Sequence, residues 1–209
     1  MSADAIVQAA ATVLARDGYD ALNMRSIAAE LDVQPPALYR HVQSRDAVDD
    51  LLFDHLMADC APALTGRDWR ADVRAVSQAW RRRLTTTRDA TRIALGQVSI
   101  GPNLAPLMEC ALGALRASGL SDGQLIEAYQ ACVVMVHGFA AAEASYRDLA
   151  TRADGSGLRS APLKPEWVAA YPTLTALAER LAAPPDFEAR FDFALDALIA
   201  GIEQRLALQ

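Results

Sequence analysis

Residues 24–42, MRSIAAELDVQPPALYRHV, constrain this chain more than any other stretch. Ile27, Ala28, Leu31, Val33, Leu38 and Val42 are spaced to face inward on two short helices crossing at a steep angle, with the small Ala28 at their contact. Asp32 falls at the turn between them, where the backbone must be left-handed and Asp is tolerated better than most non-glycine residues. This is the helix-turn-helix pattern, whose second helix enters the major groove of DNA. The segment predicts a DNA-binding protein, and the rest of the chain must then supply its control.

The flanking sequence reads as more helices. Asp4–Arg16 carries Ile6, Ala10, Val13 and Leu14 on one face and stops at Gly18. Ser44 caps a helix over about 45–60, with Val48, Leu51, Leu52 and Leu56 at helical spacing, and Pro62 with Gly66 marks a domain boundary. Asp68 caps a helix running to Thr85, a short helical segment covers 88–95, and a helix after Gly101-Pro102-Asn103 runs to Ser118. Ser121 with Gln124 forms a capping box opening a long helix to Ala150, residues 151–165 read as a mobile loop, and helices follow at 165–182 and 186–207. β-branched residues are sparse beside Ala, Leu and Arg, so the expected class is all-α. The expected division is a three-helix DNA-binding domain over 1–62 and a helical ligand-binding and dimerisation domain over 63–209.

Charge works against an easy DNA-binding reading. Residues 1–64 hold four arginines against ten acidic residues, a net of −6, while the remainder is neutral. Non-specific DNA affinity comes from phosphate neutralisation, so bulk DNA should bind weakly. Placement matters more than the sum: Arg25, Arg40, His41 and Arg45 lie on or beside the reading helix, whereas Asp17, Asp20, Asp49, Asp50, Asp54 and Asp59 lie on flanking helices that can face away.

The candidate DNA contacts follow from chemistry. Arg25 opens the first motif helix, where a cation is unfavourable unless an anion is near. Tyr39 can lay its ring on the backbone and donate to a phosphate, His41 suits a second phosphate, and Arg40 can read guanine through its fork or face solvent. Gln34, Pro36 and Ala37 lie on the groove side, and Ser44 with Arg45 suits phosphate binding at a helix start. Pro35-Pro36 is tolerated in a first turn but removes polar side chains that could touch bases, and no basic arm precedes the first helix. Affinity should therefore depend on dimerisation.

Other function classes find little support. His41, His55 and His137 are scattered, and there is no nucleophile triad, paired-carboxylate motif or phosphate loop. Cys60, Cys110 and Cys132 are isolated and read as reduced core thiols of a cytoplasmic protein. Asp4 interrupts any secretory start, and the apolar runs near 131–136 and 139–142 are too short to span a membrane. No metal site or cofactor is expected. The alternative reading is a helical ligand-binding or scaffold protein whose helix-turn-helix has lost DNA affinity.

The motif LNMRSIAAELDVQPPALYRHVQSRDAVDDLL resembles the tetracycline-repressor (TetR) family. The likeness continues through DWRADVRAVSQAWRRRL, TRDATRIALG and ASGLSDGQLIEAYQACVVMVHGF, which are similar to the tetracycline-repressor branch itself. The resemblance implies a homodimeric repressor that binds a palindromic double-stranded operator and is released by a small-molecule effector. It implies a dimer seam on the last helix, where Phe187, Phe191, Leu195, Leu198, Ile202 and Leu206 form a stripe, paired with the 122–150 helix into a four-helix bundle.

Pocket candidates are Trp80, Leu84, Ile93, Leu95, Gln97, Asn103, Leu107, Met108, Tyr129, Gln130, Val133 and His137, with Trp167 and Tyr171 as a lid. Each could equally be ordinary core; buried Gln97, Gln130 and His137 would need partners, which favours them. The Arg81–Arg83 run reads as a solvated helix face. In the resembled branch a magnesium-binding histidine stands where this chain has Ala94, and a drug-contacting asparagine where it has Val76, while Trp80 matches a pocket aromatic. The implied effector is therefore largely apolar and metal-independent.

Overall fold

The computed structural model describes residues 1–94, 99–151 and 165–208, and they form helices and connecting turns without a strand. Helix α1 (Ala3–Asp17) opens on Ser2, whose hydroxyl accepts the Ala5 amide at 3.2 Å, and closes on Gly18 at φ 87°. Helix α2 (Met24–Glu30) opens on Asn23, whose side chain accepts the Arg25 and Ser26 amides while the Ser26 hydroxyl accepts the Asn23 amide. Asp32 takes the left-handed turn with φ 52°.

The second arm of the motif, Pro35–Arg40, is a 3-10 helix rather than the α-helix expected. Two successive prolines remove two amide donors. The short segment then closes with three-residue spacing, the Ala37 amide donating to Gln34 and the His41 amide to Leu38, both at 2.9 Å. Helix α3 (Arg45–Leu56) starts on Ser44, whose hydroxyl accepts the Ala47 amide at 3.1 Å, and it ends before the expected residue 60, with Asp59 left-handed at φ 56°. Ile27, Leu38, Val48 and Leu52 are wholly buried among these elements, which pins the motif against α1 and α3.

The rest of the chain is built around two long helices. Helix α4 (Trp69–Thr86) packs on both α6 (Leu104–Arg116) and α7 (Asp122–Ala150), with the short α5 (Ala90–Ala94) against α3, α4 and α7. Ser121 and Gln124 open α7, both the amide and the hydroxyl of Ser121 donating to the Gln124 side chain. The expected helix at 165–182 is two helices, α8 (Pro165–Ala170) and α9 (Pro172–Ala182), because Pro172 drives Tyr171 out of helical geometry, to ψ 71°. Helix α10 (Phe187–Ala207) lies against α7. The loop expected at 151–165 falls, except for its ends, outside the described residues.

Packing sorts the remaining expectations. On the α10 stripe, Phe191 and Leu195 are wholly buried within the protomer and Ile202 nearly so, whereas Phe187 and Leu198 stay half-buried. A stripe at intervals of three and four has the same appearance whether it meets its own chain or a second one. The exposed apolar residues of this pair lie elsewhere, with Phe193 on α10 and Ile126 and Val134 on α7 standing 78%, 54% and 70% exposed. Arg81 is buried rather than solvated, pairing with Glu143 at 2.7 Å and Glu188 at 2.5 Å and covering the Phe191 ring at 5.0 Å. Taken whole, α7 is long and apolar enough to cross a membrane, with mean hydropathy 1.4 in its best window, whereas its separate apolar runs looked too short. Its inner face packs on α4, α6 and α10.

Candidate nucleic-acid interface and ligand pocket

The helix-turn-helix presents a compact set of uncommitted groups. Arg25, Gln34, Pro36, Tyr39, Arg40 and His41 are exposed, and Ala37 is half-buried. Tyr39 is 55% exposed although Leu38 beside it is fully buried, so the 3-10 helix is anchored by one side chain and offers the next to solvent. Arg25 and Arg40 enter no ion pair among the described residues, while Arg16 is neutralised by Asp17 and Glu30, each at 2.9 Å. The acidic excess is therefore spent partly on internal pairing and leaves the reading face cationic.

Ser44 and Arg45 fare differently. The Ser44 hydroxyl caps α3, leaving the residue exposed at a helix start. Arg45 is committed to the interior: it pairs with Asp49 at 2.9 Å, donates to the Leu22 carbonyl and covers the Tyr19 ring at 4.9 Å. Arg45 is thus already engaged by a carboxylate, a carbonyl and a ring, which gives it a structural role.

The two regions meet through a dense polar junction. Asp54 on α3 is buried and accepts the Asn103 amide at 3.0 Å, the Asn103 side-chain amide at 2.9 Å and the Leu104 amide at 2.8 Å. It thereby caps α6 from the neighbouring domain, and the expectation that it faces away is overturned. A side chain at Gly101 would sit 2.2 Å from the Asp54 carboxyl carbon, so only glycine admits this approach. Tyr19 donates its hydroxyl to Asp49 at 3.0 Å and its amide to Asp89 at 2.8 Å. Its ring lies between the guanidiniums of Arg45 and Arg92, the latter at 4.8 Å. Arg92 pairs with Asp20 at 2.6 Å, Arg88 donates to the carbonyls of Ala15 and Arg16, and Arg83 to that of Leu56. A cleft of about 690 Å³ opens beside these contacts, between Asp17–Asp20, the end of α4 and α7.

The pocket candidates divide. Trp80, Ile93, Leu107 and Tyr129 are buried, with Met108, Val133 and His137 half-buried beside them on α6 and α7. The Trp80 and His137 rings meet edge to face at 5.1 Å, and both Trp80 Nε1 and His137 Nε2 are buried without a hydrogen-bond partner. Burial holds the His137 imidazole below its usual pKa and pushes the Tyr129 phenol up. Gln130 is exposed rather than buried, so it leaves the pocket set; on a helix with one open face, polarity alone could not say which side it takes. Asn103 also leaves it, its amide held by Asp54. Gln97 and Leu95 lie outside the described residues, and the lid candidates Trp167 and Tyr171 are exposed, at 42% and 55%.

Comparison with known proteins decides the family. Residues 6–48 match bacterial regulatory proteins of the tetR family, and residues 61–206 match the tetracyclin repressor-like C-terminal domain. The chain belongs to the TetR family. It is 32% identical to an HTH-type transcriptional regulator of Saccharopolyspora erythraea, over 100% of this chain and 87% of that protein. It is 31% identical to the Escherichia coli class A tetracycline repressor protein from transposon 1721, over 96% and 89%. Among solved structures it is similar to the Streptomyces coelicolor TetR family protein ActR in complex with actinorhodin, with TM-score 0.80 and 31% identity over 98% and 97% of the two chains.

This TetR-family chain is thus a DNA-binding transcriptional regulator and not an enzyme. The residues that sequence reasoning missed are those of the junction: Tyr19, Asp54, Asp89 and Arg92. Gly101 beside Pro102 was the one available signal, since an ordered glycine can mark a close approach.

Proposed function

We propose that the protein is a homodimeric repressor that binds a palindromic operator in the cytoplasm and is released by a small, largely apolar, metal-independent effector. The observation carrying this reading is the pairing of an exposed cationic and aromatic reading face with two buried nitrogens that lack a partner among the described residues, Trp80 Nε1 and His137 Nε2, in the helical core of the second region. Exposed Phe193 on α10 and Ile126 and Val134 on α7 are the natural seam for a second copy, since four helices meeting there would bury them. Gly138 and Gly201 on these helices have no neighbour within reach of a side chain, leaving room for close helix approach.

Release follows from the junction. Helix α5 carries buried Ile93 and sets Arg92 against Tyr19 and Asp20, while α6 carries buried Leu107 and is capped by Asp54 from the reading domain. A ligand that shifts α5 or α6 changes the angle of α3 and hence the spacing of the two reading helices in the dimer. Metal independence is supported by Ala94 and Val76, buried aliphatic residues without a ligating atom. A mobility shift on DNA upstream of the chain's own gene tests the reading: specific binding should be lost in Tyr39→Ala or Arg40→Ala. Binding to no fragment would instead favour a ligand-binding scaffold.

A further inference from the structure

Buried donors without a partner are rare in folded proteins and cost about 1–3 kcal/mol each. Trp80 is 4% exposed, so its Nε1–H is shut away from bulk water, and among the described residues no protein group accepts from it. His137 brings a second buried nitrogen without a partner to the same spot, its ring edge to face with the indole at 5.1 Å. The two nitrogens come from different helices, α4 and α7, which meet along their length. An indole N–H can only donate, so whatever completes it must carry an acceptor.

The surroundings limit that acceptor further. Val76 and Leu84, one turn either side of Trp80, and Val133, one turn before His137, are aliphatic, and burial favours the neutral form of His137. The nearest fixed cation in sequence, Arg81, is already matched by Glu143 and Glu188. Among the described residues nothing there would neutralise a carboxylate or an ammonium, and a buried charge without a partner is heavily penalised.

We infer that the effector is an uncharged, apolar-bodied compound that presents a carbonyl oxygen to the indole N–H of Trp80, with His137 Nε2 as second partner of the same polar edge. This rests on the proposed ligand-released mechanism and assigns its ligand a chemical class. The N–H donates to the carbonyl oxygen; the imidazole either donates to that oxygen or accepts from a hydroxyl beside it. The apolar remainder packs among the aliphatic side chains around the two rings.

Three bicyclic probes of similar size separate the possibilities in the full chain: 1-tetralone (a neutral ketone), tetralin (its hydrocarbon) and 1-naphthoate (an anion). Binding is read by calorimetry and by the indole N–H resonance of Trp80, identified as the one of three that disappears in Trp80→Phe. Hydrophobicity alone favours tetralin. The inference expects the reverse, with 1-tetralone binding at least about tenfold tighter than tetralin or 1-naphthoate and shifting the Trp80 resonance. That preference should fall to about threefold or less in Trp80→Phe and weaken in His137→Leu. Tetralin binding as tightly as the ketone, or 1-naphthoate tighter, overturns the inference while leaving the pocket in place. If no probe moves the Trp80 resonance, the inference and the pocket reading both fail. The ranking on the unsubstituted protein decides the matter even if a variant does not fold.

Discussion

At the scale of single residues, the reading face is separated from the scaffold by which cations remain free. Arg40 has no internal partner among the described residues, whereas Arg45 holds Asp49 and the Leu22 carbonyl. Arg40→Ala should therefore weaken operator binding and reduce the slope of log affinity against log salt by about one, measured by fluorescence anisotropy across a salt series. Arg45→Ala should chiefly lower stability, by about 1–3 kcal/mol in urea titration, because it strands Asp49 and a buried carbonyl. His137 supplies a pH signature. Burial depresses its folded pKa below the ordinary 6.5, so the neutral form is the one the fold accepts. Its contribution is present above about 6.5 and is lost as pH falls toward the lower folded value. Melting temperature should drop on acidification from pH 7 to 5.5, and the His137→Leu variant should drop less. These distinctions were only partly legible beforehand. The sequence placed Arg25, Tyr39 and Arg40 beside the turn, but Arg40 and Arg45 look alike until Asp49, one helical turn on from Arg45, is seen folded against it.

At the scale of elements, local signals were strong and facing signals weak. Ser2, Asn23, Ser44, Asp68 and Asp186 all cap helices through their own side chains, and such caps are readable because capping depends on neighbours in sequence. The proline pair was also readable, yet its effect was larger than expected, turning the reading helix into a 3-10 segment. The apolar stripe of α10 was readable but not what it meets, because its partner α7 is distant in sequence and apolar on more than one side. The outcome is testable on two phenylalanines two residues apart. Phe191→Ala should cost about 3–5 kcal/mol of stability, as for any large core truncation. Phe193→Glu should leave the melting temperature within a few degrees or lower it only through loss of the dimer, and sedimentation should then find monomer.

At the scale of the whole molecule, the account is one of coupling between a weak reader and a sensor. The amino-terminal region is acidic in sum, and the proposed repressor would draw its affinity from dimerisation. The junction carries Asp54 into the cap of α6 and Arg92 onto Tyr19, which ties the attitude of α3 to α5 and α6. Asp54→Asn should preserve effector binding while reducing release from DNA, since its amide cannot accept from three donors as a carboxylate does. Titrating effector into the DNA complex, with effector affinity measured separately by calorimetry, distinguishes this from a simple loss of binding.

The central claim is that the exposed Arg25–Tyr39–Arg40 face reads DNA as part of a dimer. It is tested most directly by anisotropy on a labelled fragment from upstream of the chain's own gene, comparing the unsubstituted protein, Tyr39→Ala and Phe193→Glu. The account predicts specific binding with two protomers per site, lost in Tyr39→Ala and strongly weakened in the monomeric Phe193→Glu. Specific binding that survives Tyr39→Ala unchanged, or that saturates at one protomer per site, would contradict it.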